Sequence, residues 1–219
     1  MGRDNWRPER IRHSPWGALA LAMLTGLALM RNGADLSPGP PQPVAAASVG
    51  RSQDAPAAPV ANPALRPLPY APVDRVVIPA IQVDAPVVDV NLDPDGWIET
   101  PPPEDPNLAG WYQNGIAPGQ TGTSVIVGHV DNKAGPAVFY GLGSLVKGDR
   151  VEIERSDDRV AVFEVYGVEV FAKNDFPGAR VYGDTGQPEL RVITCGGGYT
   201  KANGYDGNVV AFARLVETR

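Results

Sequence analysis

The segment RVEIERSDDRVAVFEVYGVEVF, residues 150–171, alternates apolar and polar side chains on either side of a polar, turn-forming cluster. Val151-Glu152-Ile153-Glu154 and Val162-Phe163-Glu164-Val165 are its clearest period-two stretches. Successive side chains of a strand point to opposite faces, so this period marks strands with one face in a core. The same texture extends outward from Val73. Arg75–Ile78, Ala85–Val90, Ser124–Val127, Leu190–Thr194 and Val209–Val216 are short and β-branched, separated by Gly, Asp and Asn turns. No window carries a helical stripe of any length. Strands this short and numerous predict an all-β domain, a closed barrel or a sandwich. Residues 73–219 are enough for a sizeable core.

Upstream the composition changes twice. Residues 1–14 carry Arg3, Arg7, Arg10 and Arg12 and read as a basic cytoplasmic tail. The apolar run Pro15–Met30 closes at Arg31. Basic residues before a short apolar segment describe a signal peptide or an uncleaved anchor. No A-x-A site follows closely, so residues 15–31 are read as a transmembrane anchor, with the rest of the chain extracytoplasmic. Residues 32–72 hold ten prolines among Ala, Ser and Gly. Such a stretch buries too little apolar surface to offset its ordering entropy and is expected to be a disordered linker.

The formal net charge of −6 argues against a nucleic-acid partner, since neutralising phosphates takes a basic surface. The 73–219 region contains one cysteine, Cys195, and one histidine, His129. A lone cysteine excludes an intramolecular disulfide and leaves a buried apolar residue or a reactive thiol. A structural zinc site needs four nitrogen or sulfur ligands, so neither a metal nor a cofactor is expected. Glu99, Glu104 and Asp105 are read as solvated loop carboxylates. Both His129 and Cys195 follow an apolar strand and adjoin glycine, where a strand is expected to give way to a loop. An imidazole beside a thiol lowers its pKa as a cation or takes its proton as a base. The residues by themselves do not bring the pair together.

Leu108-Ala109-Gly110-Trp111-Tyr112, then Pro118-Gly119, Gly122 and Ser124-Val125-Ile126-Val127-Gly128-His129-Val130-Asp131, resembles the sortase signature leading to its histidine. Val138-Phe139, Leu142, Leu145 and Gly148-Asp149 continue it at the family's spacing. Leu190-Arg191-Val192-Ile193-Thr194-Cys195-Gly196-Gly197 resembles the strand that delivers the sortase cysteine, and Asn208–Ala213 the closing strand. The nearest likeness is to the actinobacterial class F group, over residues 73–219. The order His before Cys separates the chain from papain-like and cell-wall endopeptidase families.

This resemblance implies a closed eight-stranded barrel with short helical and loop insertions. It also implies a cysteine transpeptidase that cleaves an LPXTG-like sorting signal. Cys195 forms the thioacyl intermediate, His129 protonates the leaving amine, and an amine acceptor, typically a peptidoglycan precursor, takes the acyl group. A thiol hydrolase of the same fold and a non-catalytic peptide-binding barrel are the competing readings.

One family feature is absent. Sortases carry an arginine at the start of the last strand, and here that position is Asn208. Asn208 is the candidate oxyanion or substrate stabiliser, since an amide N–H donates to an oxyanion. Arg214 lies about 20 Å along the strand and Arg191 about 13 Å back from Cys195, both too far at the rise of a strand. Lys201 and Arg180 are the remaining basic candidates. Asp131 is expected to orient the imidazole, or else to bond its own turn. Trp111 and Tyr112 are candidates to line a peptide groove, with core packing the stronger expectation for Trp111.

Overall fold

The computed structural model describes residues 39–48 and 65–219. Ten strands follow in chain order: β1 Val73–Ile78, β2 Val83–Val90, β3 Ala109–Tyr112, β4 Gly122–Gly128, β5 Asp131–Asn132, β6 Gly135–Pro136, β7 Arg150–Arg155, β8 Val160–Ala172, β9 Pro188–Thr200 and β10 Gly204–Thr218. Eight of them close a barrel in the order β1-β2-β3-β4-β9-β10-β8-β7, with β7 returning to β1. β5 and β6 form a separate two-stranded ribbon. Pairing is antiparallel except for β2 with β3 and β4 with β9. The expected closed eight-stranded barrel is therefore present, and the sandwich is excluded.

The period-two segment becomes β7 and β8, joined by a turn in which Asp158 takes φ 59°. Asp tolerates this left-handed conformation better than most residues. Val151, Ile153 and Phe163 enter the barrel interior together with Trp111, Ile126, Leu190 and Val192. A second apolar cluster lies on the opposite face of β4, β9 and β10, where Val125, Val127, Ile193, Val210 and Phe212 pack under Val181. Strands buried on both faces lose their alternation. This explains the unbroken Val125-Ile126-Val127 run. Val181 belongs to a five-residue helix, Gly178–Tyr182, that the sequence pattern did not indicate.

Several boundaries differ from the sequence reading. β3 is only four residues long, too short to show a period. β9 does not end at Cys195 but runs to Thr200, paired with β10 through Gly196↔Gly207 and Tyr199↔Tyr205. Ladder bonds come from the backbone, so the glycines do not interrupt them. Two described pieces of the stretch read as a linker rest on the barrel. Ala47 is buried in the central cluster, and Leu68 donates its N–H to Gly119 O at 2.8 Å. Gly143 is tight against this segment: a Cβ there would collide with the Pro41 carbonyl.

Arg155 fastens the lead-in. Its buried guanidinium donates to Pro69 O at 2.7 Å and to Pro118 O, and pairs with Asp157 at 3.0 Å. The basic tail, the apolar run 15–31, and linker residues 32–38 and 49–64 lie outside the described residues. Among the described residues no helix is long and apolar enough to cross a membrane.

Candidate active site

β4 and β9 are adjacent and parallel, with Val127 opposite Ile193 as their last paired residues. Two positions further along each chain come His129 and Cys195. The approach is locked just before them: the Thr194 hydroxyl, 4% exposed as a residue, donates to Gly128 O at 2.8 Å. Gly128 is also held close to the core. A Cβ there would lie 2.6 Å from both Phe139 and Val138 side chains. On the other side of β9, Asn208 of β10 stands directly opposite Cys195.

His129, Cys195 and Asn208 line one groove of about 240 Å³. Trp97, Ile98 and Thr100 from the β2–β3 loop form one wall, and Tyr182 and Lys173 contribute to its lining. The Cys195 thiol is free and half-buried. A second groove of about 590 Å³ shares Trp97, Ile98 and Tyr182 with the first and continues along Tyr112, Thr123 and Val125. Tyr182 is half-shielded, and burial pushes its phenol pKa up.

Among the described residues the imidazole has one hydrogen-bond partner, the carbonyl of Pro101, 2.7 Å from Nε2. Asp131 makes no hydrogen bond to the ring. Its carboxylate accepts the Tyr205 hydroxyl at 2.5 Å, because the long β9–β10 hairpin brings Tyr205 over β5. Burial, and then this carboxylate, push the Tyr205 phenol pKa upward. Trp111 is a core residue, 1% exposed. Tyr112 lines the second groove.

The basic candidates are distributed differently. Arg191 is buried and paired with Glu189 at 2.5 Å, donates to Val181 O at 3.0 Å, and lies 4.7 Å from the centre of the Phe212 ring. Arg180 bonds Glu169 at 2.7 Å and stacks over Phe171 and Phe212. Arg214 faces Glu164 at 3.4 Å. Lys201 is exposed in the β9–β10 turn. Among the described residues Lys173 is the cation that lines the groove. It follows β8, two residues after Phe171, whose own partner is Asn208.

Sequence reasoning did not single out Lys173, Trp97, Tyr182 or Pro101. Trp97 and Pro101 lie in the loop between β2 and β3, Lys173 just after β8, and Tyr182 at the end of the five-residue helix; segments this short show no period. Among the described residues no cluster of three or more His, Cys, Asp or Glu gathers as metal ligands do. Glu99 accepts the Asn91 N–H and Asp105 that of Asn107, both local loop bonds.

A family model described as the sortase domain matches residues 76–216. Among solved structures, sortase A of Listeria monocytogenes superposes with a TM-score of 0.50 at 17% identity, over 68% of this chain and 90% of that one. The SrtA sortase of Actinomyces oris gives 0.51 at 19% identity, over 74% and 88%. A Clostridium perfringens sortase D5 transpeptidase gives 0.50 at 19%, over 67% and 79%. At such identities the superpositions speak for the fold. No curated protein matches the chain in sequence.

Proposed function

Because this chain belongs to the sortase family of cysteine transpeptidases, we propose that it cleaves an LPXTG-like sorting signal and passes the acyl group to a cell-wall amine. The observation that carries this reading is the shared groove. The only thiol, the only imidazole of the 73–219 region and the Asn208 amide line one peptide-sized cleft with apolar walls.

In this mechanism Cys195 transfers its proton to His129 and its sulfur attacks the Thr–Gly carbonyl carbon. The oxyanion receives a hydrogen bond from Asn208, with Lys173 as the cation at the groove. The C–N bond then breaks, His129 returns the proton to the leaving amine, and a thioester remains on Cys195. An acceptor amine, such as that of a peptidoglycan precursor, gives a proton to His129, attacks the thioester carbon and releases the thiol. Trp97, Ile98 and Tyr182 supply apolar walls for the leucine and proline of the signal. The likeness to class F rests on the sequence motifs.

The apolar run 15–31, after its basic tail, is assigned as a single-pass anchor with the barrel outside. That arrangement places the thiol where sorting signals and lipid-borne acceptors both reside. Protease treatment of intact cells tests it: digestion of the barrel from outside is expected, and protection would overturn it.

The reaction is tested by incubating the protein with an LPXTG-type peptide and a glycine-peptide amine, followed by mass spectrometry. A thioacyl adduct on Cys195 and a ligated product are expected, both lost in Cys195→Ala and His129→Ala. An adduct with only hydrolysed product would identify a thiol hydrolase. A folded protein that binds peptide without an adduct would identify a binding module.

A further inference from the structure

The hydrogen bond to His129 constrains its proton. A peptide carbonyl only accepts, so the 2.7 Å approach of Pro101 O to Nε2 requires Nε2 to carry hydrogen. The opposite neutral tautomer would set the nitrogen lone pair against the carbonyl lone pairs. The carbonyl itself is held in place. Pro101, Pro102 and Pro103 are consecutive, with φ preset by their rings and no N–H to satisfy. Pro101 is buried, and its ring lies 3.4 Å from where a Cβ on Gly110 of β3 would stand.

The other end of this strap is fixed by Asn132, whose Nδ2 donates to Pro103 O at 3.0 Å. That amide is oriented in turn, since its Oδ1 accepts the N–H groups of Ala134 at 2.8 Å and Gly135 at 3.2 Å. The strap therefore reaches the imidazole as a preorganised acceptor, tied to β3 and to the β5–β6 ribbon.

We propose that the Pro101 carbonyl keeps one proton on Nε2 of His129 throughout turnover, so that Nδ1 alone exchanges protons with Cys195 and with the leaving and attacking amines. This rests on the assignment of His129 as the proton-transfer group. Pro101 acts as a positioning residue through its backbone, and Asn132 positions Pro101. The Cys195 proton moves to Nδ1 and leaves a ring protonated on both nitrogens. The Nδ1 proton passes to the amine as the C–N bond breaks, and the ring returns to the neutral Nε2–H form. In the second half-reaction Nδ1 takes the acceptor amine's proton and returns it to the sulfur. The strap bond survives every step, so each transfer is confined to Nδ1, the ring nitrogen that has no partner among the described residues.

The test is 15N NMR of the full chain labelled at histidine, carrying His13→Gln so that His129 is the single labelled ring. It is recorded above the pH at which the ring loses its second proton. The expected spectrum shows a bare Nδ1 and a protonated Nε2, with that tautomer enriched ~5-fold or more over its share in free neutral histidine, as one net hydrogen bond predicts. A predominant Nδ1–H form, or two averaged nitrogens, would overturn the inference. In Asn132→Ala the ratio is expected to fall toward that of free neutral histidine, and kcat to fall with KM little changed. An unchanged ratio would overturn the role of the strap. The spectrum does not depend on turnover. A wrong tautomer in an active enzyme sinks this inference alone, whereas the right tautomer with no thioacyl adduct sinks the transpeptidase reading.

Discussion

Replacing Thr194 by Val probes the joint on which the site depends. The change keeps the branched shape and removes the hydroxyl that donates to Gly128 O at 2.8 Å. Residue 194 is almost fully buried, so water does not replace the lost donor. A buried acceptor deprived of its partner costs about 1–3 kcal/mol. For a domain of this size each kcal/mol moves Tm by about 2–4 °C, so a loss near 2 kcal/mol lowers it by about 4–8 °C. The bond also spans the strand ends that carry His129 and Cys195. A misplacement of about 1 Å costs on the order of 100-fold in rate, and kcat/KM is expected to drop by ~10–100-fold. Thermal unfolding and steady-state ligation of a fluorogenic sorting peptide measure the two effects. Thr194→Ser keeps the donor and is expected to retain most activity. A Thr194→Val enzyme with unchanged Tm and rate would refute the reasoning. An equally impaired Thr194→Ser would assign the effect to the methyl group instead of the bond.

Gly128→Ala forces a Cβ to within 2.6 Å of Phe139 and Val138, so the backbone before His129 shifts. A cost of about 1–3 kcal/mol and a loss of ligation greater than in Thr194→Ser are expected by the same two assays. Asn208→Ala is expected to leave Tm within about 1 °C, as for substitutions of small energetic cost, and to lower kcat by ~10²–10³-fold. A decrease below ~3-fold would remove the amide from the oxyanion role. The Arg155 guanidinium, through its hydrogen bond, holds the Asp157 carboxyl below the usual carboxylate range. A depressed carboxyl pKa contributes stability above its unfolded value and loses it as pH falls through the folded one. Asp157→Asn is therefore expected to lower Tm at neutral pH, with the gap to wild type closing in acid below the ordinary carboxylate range. A constant gap across that window would contradict the pairing.

How much of this was legible beforehand varied with the physics of each part. Alternation in β7 and β8 could be read because each strand has one face in the core and one more exposed. The unbroken Val125-Ile126-Val127 run signalled a strand but not why both faces were apolar, which took the outer layer under Val181 to explain. β3 was missed as a strand because four residues carry no period, although its Trp111 was expected inside. The end of β9 was misplaced because Gly196, Gly197 and Gly198 look like a loop, while ladder bonds are indifferent to side chains. Asp131 lies two residues from His129 in sequence, and that nearness is what suggests it as the orienter of the ring. Its carboxylate instead meets Tyr205, 74 residues away along the chain.

By itself, the sequence determined an all-β domain with a single thiol and a single imidazole, each delivered by an apolar strand. Composition and local periodicity decide such things, because burial is written residue by residue. Only the tertiary structure decided that β4 and β9 run side by side in parallel, with Asn208 opposite the cysteine and Pro101 on the histidine. Strand pairing uses backbone groups that every residue shares. The partner of each strand is therefore set by how the whole barrel closes, and the site exists only once it has closed.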